Sequence, residues 1–150
     1  MSSIYFAFGS NLRRARLERR VGPVRALGLA RLEGYRHTFN KHGADDTAKG
    51  NIVASQGHRV LGAAYELSED QFETLATYEL GYEKVVLDVD LSGQQVEVAT
   101  YRGIRLNEGL APTRWYLDHY LEGGLEHGIA ESYFREIFPP WYWESEPHDE

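Results

Sequence analysis

Cysteine is absent from the chain, which excludes disulfides, thiolate nucleophiles and cysteine-ligated metals. Long apolar runs are missing too. None approaches the roughly 20 residues that span a bilayer, so no membrane association is expected. The first residues lack a basic stretch followed by an apolar core, the mark of a secretory signal. These absences fit a reducing compartment, and a cytoplasmic location is expected. His37, His42, His58, His119, His127 and His148 are scattered without H-E-x-x-H spacing, so no metal site is expected. The G-x-S-x-G elbow and the dinucleotide and P-loop fingerprints are absent as well.

What remains is 150 residues, 42% apolar and 13% aromatic, a composition that suits one folded domain burying roughly 70% of its unfolded surface. A net charge of −7 disfavours nucleic acid as a partner. Charge is unevenly spread, however. Arg13, Arg14, Arg16, Arg19, Arg20, Arg25, Arg31 and Arg36 fall in the first quarter, and Glu144, Glu146, Asp149 and Glu150 close the chain. The arginines read as a solvated helix face and strand edges. The acidic end reads as a mobile tail over 144–150, after a domain over 1–143.

Strands are expected over 4–8, 24–30, 35–39, 51–55 and 60–67, with a polar loop over 42–49. Alternation of Val85, Leu87, Val89 and Leu91 with polar neighbours marks another strand, and Ser92-Gly93 turns it back into Val96 and Val98 as a hairpin. Helices are expected over 12–20, 69–80, 113–127 and 131–138. Close spacing of the strands argues for antiparallel or mixed pairing. The Trp141-Tyr142-Trp143 patch reads as a core plug or a homodimer contact.

Two local patterns carry chemistry. The apolar run Ile4 to Phe8 stops at Gly9-Ser10-Asn11 and feeds a helix-compatible stretch from Leu12. Such a turn leaves N–H groups free at a helix start, a site for a carboxylate or phosphate. Gly9 permits positive φ or close approach by a ligand, and Ser10 or Asn11 can cap the helix. On the residues alone, a plain strand–turn–helix corner stands beside the ligand site. The second pattern is Glu79. Ser68-Glu69-Asp70-Gln71 is a capping box, and Phe72, Leu75 and Ala76 define an apolar stripe whose next position is this glutamate. A carboxyl aimed at the core is raised in pKa, which acid–base chemistry exploits. A helix end curling into solvent, or a structural pair with an arginine, fits the same spacing.

The octapeptide Tyr5-Phe6-Ala7-Phe8-Gly9-Ser10-Asn11-Leu12 resembles the Y-F-A-Y-G-S-N-L signature of gamma-glutamylcyclotransferase-like proteins. The resemblance continues in order through Gly34-Tyr35-Arg36, Phe39-Asn40-Lys41, Gly50 to Val53, Val60-Leu61-Gly62, Leu75 to Tyr82 and Pro112 to Tyr116, ending near Ile137. It implies a single compact α+β domain, with a small mixed barrel-like sheet and flanking helices. It also implies an enzyme that cyclises the gamma-glutamyl group of a small amide to 5-oxoproline and releases an amine or amino acid, without cofactor or metal. Glu79 matches the family's catalytic glutamate, acting as base and then acid. Phe8, Gly9, Ser10, Asn11 and Leu12 would bind substrate through the turn, with Tyr116 and Tyr82 as candidate hydroxyl donors; both read equally as core aromatics, and for Tyr82 the core reading is preferred. Phe8 stands where the family has tyrosine, and Leu80 where glycine is common. Two other readings are an inactive member that only binds a gamma-glutamyl ligand, and a hydrolase with Ser10 as nucleophile.

Overall fold

The computed structural model describes residues 2–144; of the expected acidic tail, residues 145–150 lie outside the described residues. Five strands close into a barrel: β1 (Ser2–Ala7), β2 (Arg25–His42), β3 (Ala48–Ser68), β4 (Tyr82–Leu91) and β5 (Gln94–Gly103), in the order β1-β3-β2-β4-β5. Every pairing is antiparallel except β1 with β5, so the sheet is mixed, as expected. Helices α1 (Arg14–Val21), α2 (Glu69–Ala76), α3 (Arg114–Glu126), α4 (Glu131–Ile137) and α5 (Trp141–Glu144) flank it.

The apolar run of β1 is continuous because both of its faces are covered. Phe6 and Phe8 join Ala30, Ile52, Val60, Ala64, Val89 and Val98 in a cluster drawn from strands and the turn after β1. Tyr5 and Ala7 join the second cluster, where strands meet Leu17 of α1, Leu75 of α2 and Leu117 and Tyr120 of α3. The Ser92-Gly93 hairpin is as expected. Both residues have positive φ, 54° and 85°, and Leu91 pairs with Gln94.

The expected strands over 24–30 and 35–39 are one strand, as are those over 51–55 and 60–67. Register shifts near Gly28 and Gly34 absorb the irregularity: these glycines, at φ of 126° and 82°, make bulges rather than ends. The loop joining β2 to β3 shrinks accordingly to residues 43–47. In α3, Gly123 and Gly124 do not break the helix. A Cβ on Gly123 would lie 2.2 Å from the Arg13 backbone nitrogen, and one on Gly124 would lie 2.1 Å from the Phe134 ring. Their missing side chains let α3 close on the turn after β1 and on α4. Tyr142 of the terminal aromatic patch is buried against Phe138, so this residue plugs the helical layer.

Candidate active site

Pairing directions bring the C-terminal ends of β1, β2 and β5 to the same end of the barrel as the N-terminal ends of β3 and β4. A cavity of about 340 Å³ opens there. The turn after β1 supplies Phe8, Gly9, Ser10 and Asn11; Lys41 comes from β2, Lys49 and Gly50 from β3, Tyr82 from β4, Thr100 and Tyr101 from β5, and Tyr116 from α3.

Glu79 lines this cavity, but by a different route from the one its spacing suggested. The capping box is present, with Gln71 N–H donating to Ser68 Oγ at 3.1 Å and Ser68 N–H to Gln71 Oε1 at 2.9 Å. The helix then stops at Ala76, three residues short of Glu79, and Ala76 itself is exposed. Thr77 Oγ donates to the Thr74 carbonyl at 2.7 Å, and the amides of residues 77, 78 and 79 turn to carbonyls three residues back. The chain therefore tightens into a turn. Gly81 (φ 83°) ends it, and its carbonyl accepts from the N–H of Ile104 just beyond β5. Glu79 is thus carried on a turn pinned to the barrel.

Asn11 Nδ2 donates to Glu79 Oε1 at 3.4 Å and to the Tyr5 hydroxyl at 3.0 Å. Its Oδ1 accepts from Arg20 Nη1 at 3.4 Å, so one buried amide ties the turn, the strand, α1 and the carboxyl together. Burial pushes the Glu79 pKa from 4.5 up to about 7, although Arg20, Lys41, Arg16 and the Asn11 hydrogen bond all pull it down. Loss of water outweighs three nearby cations here. Lys41 is shifted in the matching sense: burial lowers its pKa even though Glu79 opposes this.

Ser10 and Asn11 do not cap a helix. A 3-10 turn over Ser10–Leu12 intervenes before α1, and neither it nor α1 has a side-chain cap. Ser10 Oγ accepts from Arg16 Nε at 3.0 Å, and the Ser10 and Asn11 N–H groups meet no acceptor among the described residues. Gly9 sits at φ −125°, so positive φ is not its role; close approach is, since a Cβ there would lie 3.2 Å from the Tyr120 hydroxyl. Leu12 does not line the cavity. Its side chain is fully buried in the core, and its carbonyl accepts from the Tyr65 hydroxyl at 2.8 Å, so it anchors the turn from behind.

Both tyrosines reach the Gly50 peptide. Tyr82 donates its hydroxyl to the Gly50 carbonyl at 2.8 Å, which commits that proton. The Tyr116 hydroxyl instead accepts from Gly50 N–H at 2.9 Å. Behind it the Tyr120 ring packs edge-on against Tyr116, with centroids 5.3 Å apart, and His37 Nε2 lies 2.7 Å from the Tyr120 hydroxyl. Burial holds His37 neutral, its pKa near 3. His37, Tyr120 and Tyr116 thus form a buried row behind the cavity wall, with edge-on ring contacts between neighbours.

The sequence reading missed the charge of this site. Arg16 and Arg20 are not merely a solvated face: both line the cavity with Lys41 and Lys49, against Glu79 and Asp45. Their i, i+4 spacing on either side of buried Leu17 was the available signal. Tyr5, Thr100 and Tyr101 were missed as well, since each reads as ordinary strand sequence.

The AIG2-like family model matches residues 59–137, a span that includes Glu79, Tyr82 and Tyr116 and stops short of the turn at Gly9. A solved gamma-glutamyl cyclotransferase superposes with a TM-score of 0.85 at 21% identity, over 100% of this chain and 91% of its own. An uncharacterised protein from Homo sapiens gives 0.83 at 23% identity, over 99% and 90%. A glutathione-specific gamma-glutamyl cyclotransferase from yeast gives 0.65 at 10% identity, over 87% and 90%. No curated protein sequence matches the chain. Structural similarity at these identities shows a shared fold, and the family model covers more than half of the chain; the protein belongs to the AIG2-like family and has the fold of the gamma-glutamyl cyclotransferases.

Proposed function

We propose that this protein cyclises the gamma-glutamyl group of a small amide, releasing 5-oxoproline and an amine. The observation that carries the reading is a carboxyl with a pKa near 7 in the cavity that the turn after β1 also lines. The substrate's α-ammonium must lose two protons to become the lactam nitrogen, and the leaving nitrogen must gain two to depart as an ammonium. Glu79 as carboxylate takes the first proton. The freed amine attacks the γ-carbonyl carbon and closes the ring, and Glu79 returns that proton to the departing nitrogen as the carbon–nitrogen bond breaks. The second proton leaves the ring nitrogen for the same carboxylate and then passes to solvent or the free amine. A pKa near 7 suits both halves of the exchange.

The unpaired Ser10 and Asn11 N–H groups supply an electrostatic cradle for the substrate α-carboxylate or the oxygen of the reacting carbonyl. Arg16, Arg20, Lys41 and Lys49 add positive charge around it. The remaining job is conformational. Holding amine and carbonyl in attack geometry supplies several of the roughly 7–11 kcal/mol available from ideal orientation. Ser10 is a poor nucleophile here, because its hydroxyl partner is the Arg16 guanidinium, which takes up no proton.

Incubation with a panel of gamma-glutamyl amides, followed by chromatography, tests the reading. Formation of 5-oxoproline with one equivalent of amine is expected. Release of free glutamate would instead show hydrolysis, and binding without turnover would show an inactive relative.

A further inference from the structure

Beside the cavity lies a second one of about 420 Å³, which shares Arg16, Arg20 and Tyr78 with it. Arg13, Arg19, Trp115 and His119 complete its charged and aromatic wall, and among the described residues no carboxylate lines it. Of its four arginines, only Arg13 meets a carboxylate within ion-pair distance among the described residues, Glu122 at 3.1 Å. Arg16, Arg19 and Arg20 lie at i, i+3 and i+4 on α1, so like charges face one another on adjacent turns, an arrangement that opposes helix stability. Arg16 lies 5.1 Å over the exposed Trp115 ring, and Arg20 lies 4.9 Å over the exposed Tyr78 ring. Stacking of this kind orients a guanidinium plane and leaves N–H edges for an anion.

In a chain of net charge −7, a groove with four guanidinium groups, three of them without an ion pair among the described residues, suits a negatively charged ligand. Arg16 and Arg20 also face the first cavity, but Arg13 and Arg19 line the second alone, so the glutamyl end does not account for all four. We propose that the amine released by the reaction carries a dianionic group, a phosphate or a pair of carboxylates, seated on Arg13, Arg16, Arg19 and Arg20. Arg16, Arg20 and Tyr78 border both cavities, which sets the dianionic group beside the glutamyl end. This inference rests on the ring-closing reading for its chemistry, and on the groove alone for its ligand class.

The test compares kcat/KM of the full chain for gamma-glutamyl-O-phosphoserine, gamma-glutamyl-glutamate and gamma-glutamyl-alanine, with calorimetric titration of O-phosphoserine and serine alongside. The two acidic substrates are expected to exceed the alanine one by about tenfold or more, the worth of one charge-assisted hydrogen bond. Which of the two is faster distinguishes phosphate from dicarboxylate. Arg19→Gln, at an exposed position outside the first cavity, should cut that ratio about fivefold or more. O-phosphoserine should bind and serine should not. Turnover without acidic preference, together with equal binding of the two amino acids, overturns the groove assignment and leaves ring closure standing. Selective O-phosphoserine binding without 5-oxoproline from any substrate upholds the groove and sinks the ring-closing reading.

Discussion

Glu79→Gln loses about 10²–10⁴-fold in kcat while retaining the fold and substrate binding, because the amide keeps the shape of the carboxyl and cannot shuttle a proton. The same variant gains stability at neutral and alkaline pH. The folded pKa of about 7 exceeds the ordinary 4.5, so between these values the folded chain holds a proton that the unfolded chain has released. Wild-type stability therefore falls as pH rises through this window and stays low above it. Glutamine does not ionise, so at about pH 8 the variant should be the more stable by about 1–3 kcal/mol, a range that allows for the open side of the site. The gap should close below the unfolded pKa. Denaturation curves at several pH values, paired with single-turnover rates, check both halves. Equal turnover in the variant would remove Glu79 from the chemistry, and equal stability at about pH 8 would mean the carboxyl is not desolvated.

Gly123→Ala should damage the site from behind. The added methyl would lie 2.2 Å from the Arg13 nitrogen and 2.4 Å from the Leu12 carbonyl carbon, both backbone atoms that no side-chain rotation clears. Alanine gains about 1 kcal/mol of helix propensity over glycine, and overpacking of this severity costs about 3, leaving a net loss of about 2 kcal/mol. Because the contacted backbone belongs to the turn that bears Ser10 and Asn11, KM should rise as well. Chemical denaturation and steady-state kinetics measure the two effects. An unchanged or raised stability would show that α3 does not press on this turn as described.

Much of the barrel was legible because period-2 alternation and the Ser92-Gly93 hairpin are local signals. The lengths of β2 and β3 were not. Breaks were expected over 31–34 and 56–59, and only pairing across the barrel shows the strands running past Gly34 and Gly57, both at positive φ. Glu79 was found by helical spacing, yet the helix ends before it; Thr77 closes the turn with its own hydroxyl, a competition that periodicity does not register. The basic lining went unread because composition gives charge without direction. Arg16 and Arg20 become cavity residues only once α1 packs beside the turn. The contact of His37 with Tyr120 spans 83 positions and is purely tertiary.

The pH dependence of kcat/KM for 5-oxoproline release bears most directly on the proton-shuttling role of Glu79. Activity should fall about tenfold per unit below an acid limb near pH 7, where this carboxyl takes up the proton that disables it as a base. A profile that stays flat down to about pH 5 would mean that the base has an ordinary carboxylate pKa, and that Glu79 as found in this cavity is not it.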